Sequence, residues 1–283
     1  MRPDDPVGTI LAPIRARVDA ALAAYLAERR EALAALDASA AVLVDELRRL
    51  LDAGGKRLRP AFCILGFRAA GGDPTSEAIW GPAAALELFH AFALVHDDVI
   101  DGAATRRGVP TTAAAFGGGE RGRAAAILVG DLGAELAGAL LRRAPFPPER
   151  VSAALARYDA MVLALAAGQF LDATADVPAD LEGSLRIARL KSSAYTVEAP
   201  LAIGAAFAGA RPDVHATLAA FARPYGEAFQ LRDDLEDGDA AAGVTPADVD
   251  ARVDAAVAAI GDRLEPTAAD GLRAIAEGLR MGA

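Results

Sequence analysis

Apolar residues recur at three- and four-residue spacing along almost the whole chain, and no segment shows sustained alternation bounded by hairpin turns. A stripe of that period is buried efficiently only on helices. Hydrophobic residues make up 53% of the 283, yet alanine dominates them and β-branched or aromatic runs are scarce. Small side chains of this kind suit helices packed closely together. Interruptions fall at GGDPT (71–75), GAATRRGVP (102–110), FGGGERG (116–122), APFPPE (144–149), ADVPADLEG (175–183), GARPD (209–213) and DGDAAAGVTP (237–246). Between them the spacing predicts helices over 8–50, 58–70, 76–101, 123–143, 149–173, 184–208, 213–237 and 247–279, the last broken at EPT. There is no repeat of fixed period and no low-complexity linker, so the expected architecture is a single all-α domain over residues 1–283.

Charge and cysteine usage narrow the partners. The net charge of -10 disfavours nucleic acid, and any anionic ligand must be met by local arginines or bound cations. Cys63 is the sole cysteine, which excludes an internal disulfide and suits a reducing cytoplasm. The N-terminus has acidic residues and no apolar core segment, so no signal peptide is expected. Uncharged stretches such as APLAIGAAFAGA fall short of the roughly 18 residues of a membrane span. A soluble protein without a span is the expectation.

Against this apolar background, acids crowd together twice. In HDDVIDGAATRRG, Asp97 and Asp101 are four apart and Asp98 and Asp101 three apart, so their carboxylates share one rim of a helix. FQLRDDLEDGD repeats the geometry with Asp233, Asp234 and Asp237, and Glu236 and Asp239 deepen its negative field. Like charges at this spacing destabilise a helix by a few tenths of a kcal/mol per pair, and each cluster sits at a C-terminal end where the helix dipole also disfavours acids. A bound cation reverses the sign. Hard oxygen donors with open positions suit magnesium, which keeps waters and shares its sphere with phosphates.

Basic residues complete the pattern. Only Lys56 and Lys191 are lysines among the 29 basic residues. GGKRLRP (54–60) places Lys56, Arg57 and Arg59 after two glycines and at a helix start, where backbone N–H groups can meet a phosphate. Arg106 and Arg107 follow the first cluster and can clamp phosphates bidentately. His90 precedes Asp97 by seven residues, two turns along the same face, a position equally suited to a core hydrogen bond.

GGKRLRP, HDDVIDGAATRRG, AGQFLD, LKSSAYTVEAPL and FQLRDDLEDG, in this order, resemble the trans-polyprenyl diphosphate synthases, the family of farnesyl and geranylgeranyl diphosphate synthases, over about residues 50–239. The resemblance implies an all-α helical bundle around a deep central cavity, usually in a homodimer. It implies that Asp97, Asp98, Asp101, Asp233, Asp234 and Asp237 bind three magnesium ions. Arg106 and Lys191 match the positions that hold the allylic diphosphate, while Lys56, Arg59, His90 and Arg107 match those for isopentenyl diphosphate. Ser192 stands where threonine is usual, and Gln230 matches the glutamine before the second motif. In the family the growing chain runs down the helix before the first motif, which makes Phe89, Phe92 and Ala93 the expected floor. A lone aromatic at 92 with no insertion in DDVID resembles the geranylgeranyl type, with farnesyl as the alternative. A non-catalytic subunit of a heteromeric synthase and a class I terpene cyclase are the other readings. The segment after the second motif looks shortened beside the family pattern and carries no lysine, as does the segment AAAFGGGERGRAAAILVGD look short.

Overall fold

Alanine-rich segments coil as their spacing requires. The computed structural model describes residues 6–106, 108–174, 186, 189–238 and 243–282. Eleven α-helices account for most of these: α1 (Pro6–Leu36), α2 (Val42–Asp52), α3 (Leu58–Ala69), α4 (Trp80–Ile100), α5 (Thr112–Ala115), α6 (Gly119–Arg142), α7 (Pro148–Thr174), α8 (Ala199–Ala208), α9 (Pro212–Asp237), α10 (Pro246–Ala259) and α11 (Pro266–Glu277). The all-α class holds.

Local chemistry explains where boundaries differ from the spacing. The expected helix over 8–50 is two helices, because the Asp37 carboxylate accepts from the Ser39 N–H at 2.8 Å and caps a 3₁₀ turn over Ala38–Ala41. The expected helix over 76–101 starts later, at Trp80, after a turn in which the Asp73 carboxylate accepts from Thr75 N–H at 2.8 Å. EPT breaks the last helix as its proline requires, with Glu265 capping α11. Two strands, β1 (Thr105–Arg106) and β2 (Val109–Pro110), pair antiparallel, against the expectation of no strand. Two residues a side are too short for any alternation to register. Before α8, residues Arg189–Glu198 wind as a π-helix, a rare form found frequently at functional sites. The loop at 175–183 and the start of the helix expected from 184 lie outside the described residues.

By backbone contacts the chain divides into two compact units, one of residues 1–14, 58–79 and 145–283, the other of 15–57 and 80–144. In the first, α8 lies against α3 at backbone distance. A Cβ on Gly204 would stand 1.9 Å from the Cys63 carbonyl oxygen, and one on Gly66 would stand 2.2 Å from that of Leu201. Phe62, Tyr225 and Phe221 form an aromatic run beneath this contact, with ring centroids 5.2 and 5.5 Å apart. In the second unit, α4 packs on α6 at Gly130, where a Cβ would stand 2.3 Å from the His96 ring. Phe89 is fully buried there, and its ring lies 5.2 Å from that of Phe92.

Length and composition alone would let α6 and α7 cross a membrane, against the expectation of no span, although scattered charges interrupt the uncharged runs of each. Exposed apolar side chains stand on both: Ile127 and Leu128 on α6, Leu163 and Phe170 on α7.

Candidate active site

The first acidic cluster closes α4. Asp97 and Asp98 occupy its last turn, and Asp101 follows one residue past its end, its N–H donating to the Asp97 carbonyl at 2.9 Å. Asp98 is 5% exposed, whereas Asp101 faces solvent. Arg106 lies across the pair: its Nε donates to Asp98 Oδ1 and its Nη2 to Asp97 Oδ2, both at 2.8 Å. Burial pushes the Asp98 carboxyl above the usual carboxylate range, and the Arg106 hydrogen bond opposes it.

The ribbon delivers Arg106 to that place. β1 and β2 pair Thr105 with Pro110 and Arg106 with Val109 across a tight turn at Gly108 (φ +80°). Beyond the turn, the Thr111 hydroxyl donates to the Ala103 carbonyl at 2.9 Å and the Thr112 hydroxyl to Glu46 at 2.8 Å. Glu46, itself buried on α2, also receives both arms of Arg49 at 2.6 and 2.7 Å. These polar residues escaped the sequence reading, although the i,i+3 spacing of Glu46 and Arg49 was a signal.

The second cluster closes α9. Gln230 Nε2 donates to Asp234 Oδ1 at 2.7 Å, one turn apart on the same face, so the glutamine singled out by the motif orients a cluster carboxylate. Asp233 is half-buried and Asp237 is exposed at the last residue of the helix, which Gly238 (φ +82°) terminates. Glu236 does not simply add to the cluster's charge. It accepts from Arg232 Nε at 2.7 Å, and Arg232 also reaches the Gly278 carbonyl. Asp239 lies outside the described residues.

The π-helical segment is tied to α9. Gly226 leaves room for the Ser193 side chain, and Arg189 donates to Glu227 Oε1 through Nε at 2.8 Å, with Nη2 at 2.6 Å. Arg252 from α10 reaches the other oxygen of Glu227 at 3.2 Å. Lys191 and Ser192 belong to this segment, though their side chains lie outside what the structure describes.

The basic residues of GGKRLRP divide. Lys56 is exposed. Arg59, on α3, donates to the Thr196 hydroxyl at 2.8 Å and lies 4.3 Å above the Tyr195 ring, with its Nε buried and lacking a partner among the described residues. Arg57 departs from the phosphate role expected of it. It is 6% exposed in a left-handed backbone (φ +53°), bonded to Asp19 at 2.8 Å, Glu87 at 3.2 Å and the Leu51 carbonyl at 2.6 Å. Two internal carboxylates satisfy that charge. His90 is half-buried on α4, and Arg107 lies outside the described residues.

Among the described residues no three His, Cys, Asp or Glu side chains gather closely enough to hold a metal unaided. The donors fit magnesium even so: each cluster offers only hard carboxylate oxygens, and buried Asp98 already requires a positive partner.

A family model for polyprenyl synthetase matches residues 40–245. A short chain isoprenyl diphosphate synthase of Methanothermobacter thermautotrophicus is 34% identical over 203 residues, covering 71% of this chain and 60% of the relative. A (2E,6E)-farnesyl diphosphate synthase of Mycobacterium tuberculosis is 39% identical over 183 residues, covering 64% of this chain and 48% of the relative. This chain therefore spans about half to three fifths of the length of such curated relatives. The crystal structure of a geranylgeranyl pyrophosphate synthase from Corynebacterium glutamicum, complexed with isoprenyl diphosphate and magnesium, superposes with a TM-score of 0.84 at 24% identity, over 96% of this chain and 99% of that one. At that identity the likeness speaks for the fold, an all-α isoprenoid synthase bundle. Because the family match takes in both aspartate clusters and most of the chain, the protein belongs to the polyprenyl synthetase family.

Proposed function

We propose that this chain condenses isopentenyl diphosphate head-to-tail with an allylic diphosphate in a magnesium-dependent prenyl transfer. The observation that carries the reading is the pair of clusters with identical spacing, each at the end of a long helix and each with a polar partner on a carboxylate, Arg106 on Asp97 and Asp98, Gln230 on Asp234. Magnesium, three ions in all, would be held by Asp97, Asp98, Asp101, Asp233, Asp234 and Asp237, and supplies Lewis-acid stabilisation of the departing diphosphate. Arg106 and Lys191 bind the allylic diphosphate. Lys56, Arg59, His90 and Arg107 bind isopentenyl diphosphate, whose double bond attacks the allylic cation, and the released diphosphate takes the proton. Gln230, which donates to Asp234 Oδ1 at 2.7 Å, would hold that carboxylate in place for its metal. Ser192 takes the place of the family's threonine in the same role as Lys191's neighbour. The allylic cation requires apolar walls that exclude water, which would otherwise quench it.

The relatives' names run from farnesyl through geranylgeranyl and geranylfarnesyl to nonaprenyl products. We favour geranylgeranyl diphosphate, with farnesyl diphosphate as the second reading. Ala93, half-buried one turn below Asp97, leaves room, and Phe89 a turn deeper is a bulky, fully buried stop. Phe92, whose ring lies 5.2 Å from that of Phe89 and packs edge-on against His96 at 4.8 Å, is the second bulky member of the proposed floor. Phe89→Ala should lengthen the main product, read by chromatography after dephosphorylation, and an unchanged length would move the floor elsewhere. The complete set of six aspartates argues against a non-catalytic subunit. The exposed apolar residues of α6 and α7 suit the interface of a homodimer, and a buried lone thiol at Cys63 suits the cytoplasm. Incubation with isopentenyl diphosphate, each allylic diphosphate and magnesium tests the whole reading; failure to elongate any of them refutes it.

A further inference from the structure

We infer that Arg106 and a divalent cation compete for the same two carboxylate oxygens, so that the first cluster loads metal only as its arginine is handed to an anion. The inference rests on the proposed reaction, which assigns Asp97 and Asp98 to magnesium and Arg106 to a diphosphate. In the observed arrangement Arg106 occupies one oxygen of each carboxylate that those assignments give to the metal. Arg106 Nε and Nη2 donate at 2.8 Å to Asp98 Oδ1 and Asp97 Oδ2, and a guanidinium so placed blocks approach of a metal to those oxygens.

Burial makes the exchange obligatory. Asp98 is 5% exposed, and a carboxylate out of water that loses its partner is strongly destabilised unless another positive charge arrives. Arg106 therefore leaves Asp98 as a cation enters. The freed guanidinium, which is itself half-buried, then needs anionic oxygens of its own. A diphosphate accompanied by its cation satisfies both at once; a cation alone satisfies only one.

The backbone around Arg106 is tied down, so the exchange is a side-chain swing. The ribbon pairs Arg106 with Val109, Thr111 holds the Ala103 carbonyl, and Thr112 is fixed on Glu46 beside Arg49, which also reaches the Pro110 carbonyl at 3.4 Å. Metal and anion binding are then thermodynamically linked through one residue, each strengthening the other.

Removing the competitor should thus tighten metal binding even while it harms the reaction. The test titrates manganese into the full-length, substrate-free protein and counts free ion by electron paramagnetic resonance. Arg106→Gln should bind manganese about tenfold more tightly than the wild type. Arg106→Lys, which keeps the charge but loses the two-pronged geometry, should show a smaller gain. Adding Asp97→Asn to Arg106→Gln should cancel the gain and so locate the ion. Circular dichroism melts establish that each variant is folded, and if the glutamine variant is not, the lysine variant decides. Unchanged or weaker manganese binding in the folded variant overturns the exchange. Turnover is a separate readout: product from the wild type with no gain in the variants sinks the exchange alone, whereas absence of product sinks the proposed reaction.

Discussion

Arg57 and Arg106 show how the same side chain takes different parts according to its neighbours. Both follow a glycine-containing or acidic motif, and both invited a phosphate-binding role. Arg57 is committed to Asp19, Glu87 and a carbonyl, which leaves it no free donor edge for a ligand. Among the described residues, Arg106 is bonded to the Asp97 and Asp98 carboxylates, which a metal can take over. Short motifs specify which residues are present, but the partners of Arg57 lie 38 and 30 residues away and were invisible in its own segment. Lys56, in the same motif as Arg57, is exposed, and His90 on α4 is half-buried, which leaves both proposed diphosphate ligands partly open to solvent. Lys56→Ala and His90→Ala should weaken isopentenyl diphosphate binding by about tenfold or more, with a smaller effect on the allylic substrate. Calorimetric titration of each ligand checks this, and equal losses for both would mean that the two sites are wrongly assigned.

At the scale of elements, helix periods and helix ends were legible because alanine, proline and glycine act locally. The acid spacing likewise placed both clusters at helix ends from sequence alone. The ribbon, the 3₁₀ break at Asp37 and the π-helical segment were not legible. They depend on a carboxylate capping one turn, a two-residue pairing, and arginine contacts such as that of Arg189 with Glu227, 38 residues away. Close helix packing makes its own demand. Gly204→Ala would drive a methyl group into the Cys63 carbonyl, backbone against backbone, and should destabilise the fold by about 3 kcal/mol in chemical denaturation. A change within error would mean that α3 and α8 can part freely. His215 on α9 makes a second, pH-dependent demand. Burial, with the Arg157 charge nearby, holds its imidazole below the ordinary value of 6.5. The unfolded chain then takes up its proton first, so stability is present above that value and is lost as pH falls through the folded one. The melting temperature should fall in that window, and His215→Gln should flatten the slope; an unaltered slope would clear His215 of the effect.

For the whole molecule, the family and the all-α class followed from ordered motifs, while the role of each site residue follows only from chemistry that both clusters must share. Asp97 and Asp233 belong to separate compact units, and the proposed reaction draws on the cluster in each. The account therefore requires the two to act in one reaction. Steady-state turnover of isopentenyl diphosphate with an allylic diphosphate, at saturating magnesium, tests that requirement most directly in Asp97→Asn and Asp233→Asn. Each substitution keeps size and removes one anionic ligand, and each alone should lower kcat by about a hundredfold or more. Near-normal turnover in either variant would contradict the two-cluster mechanism.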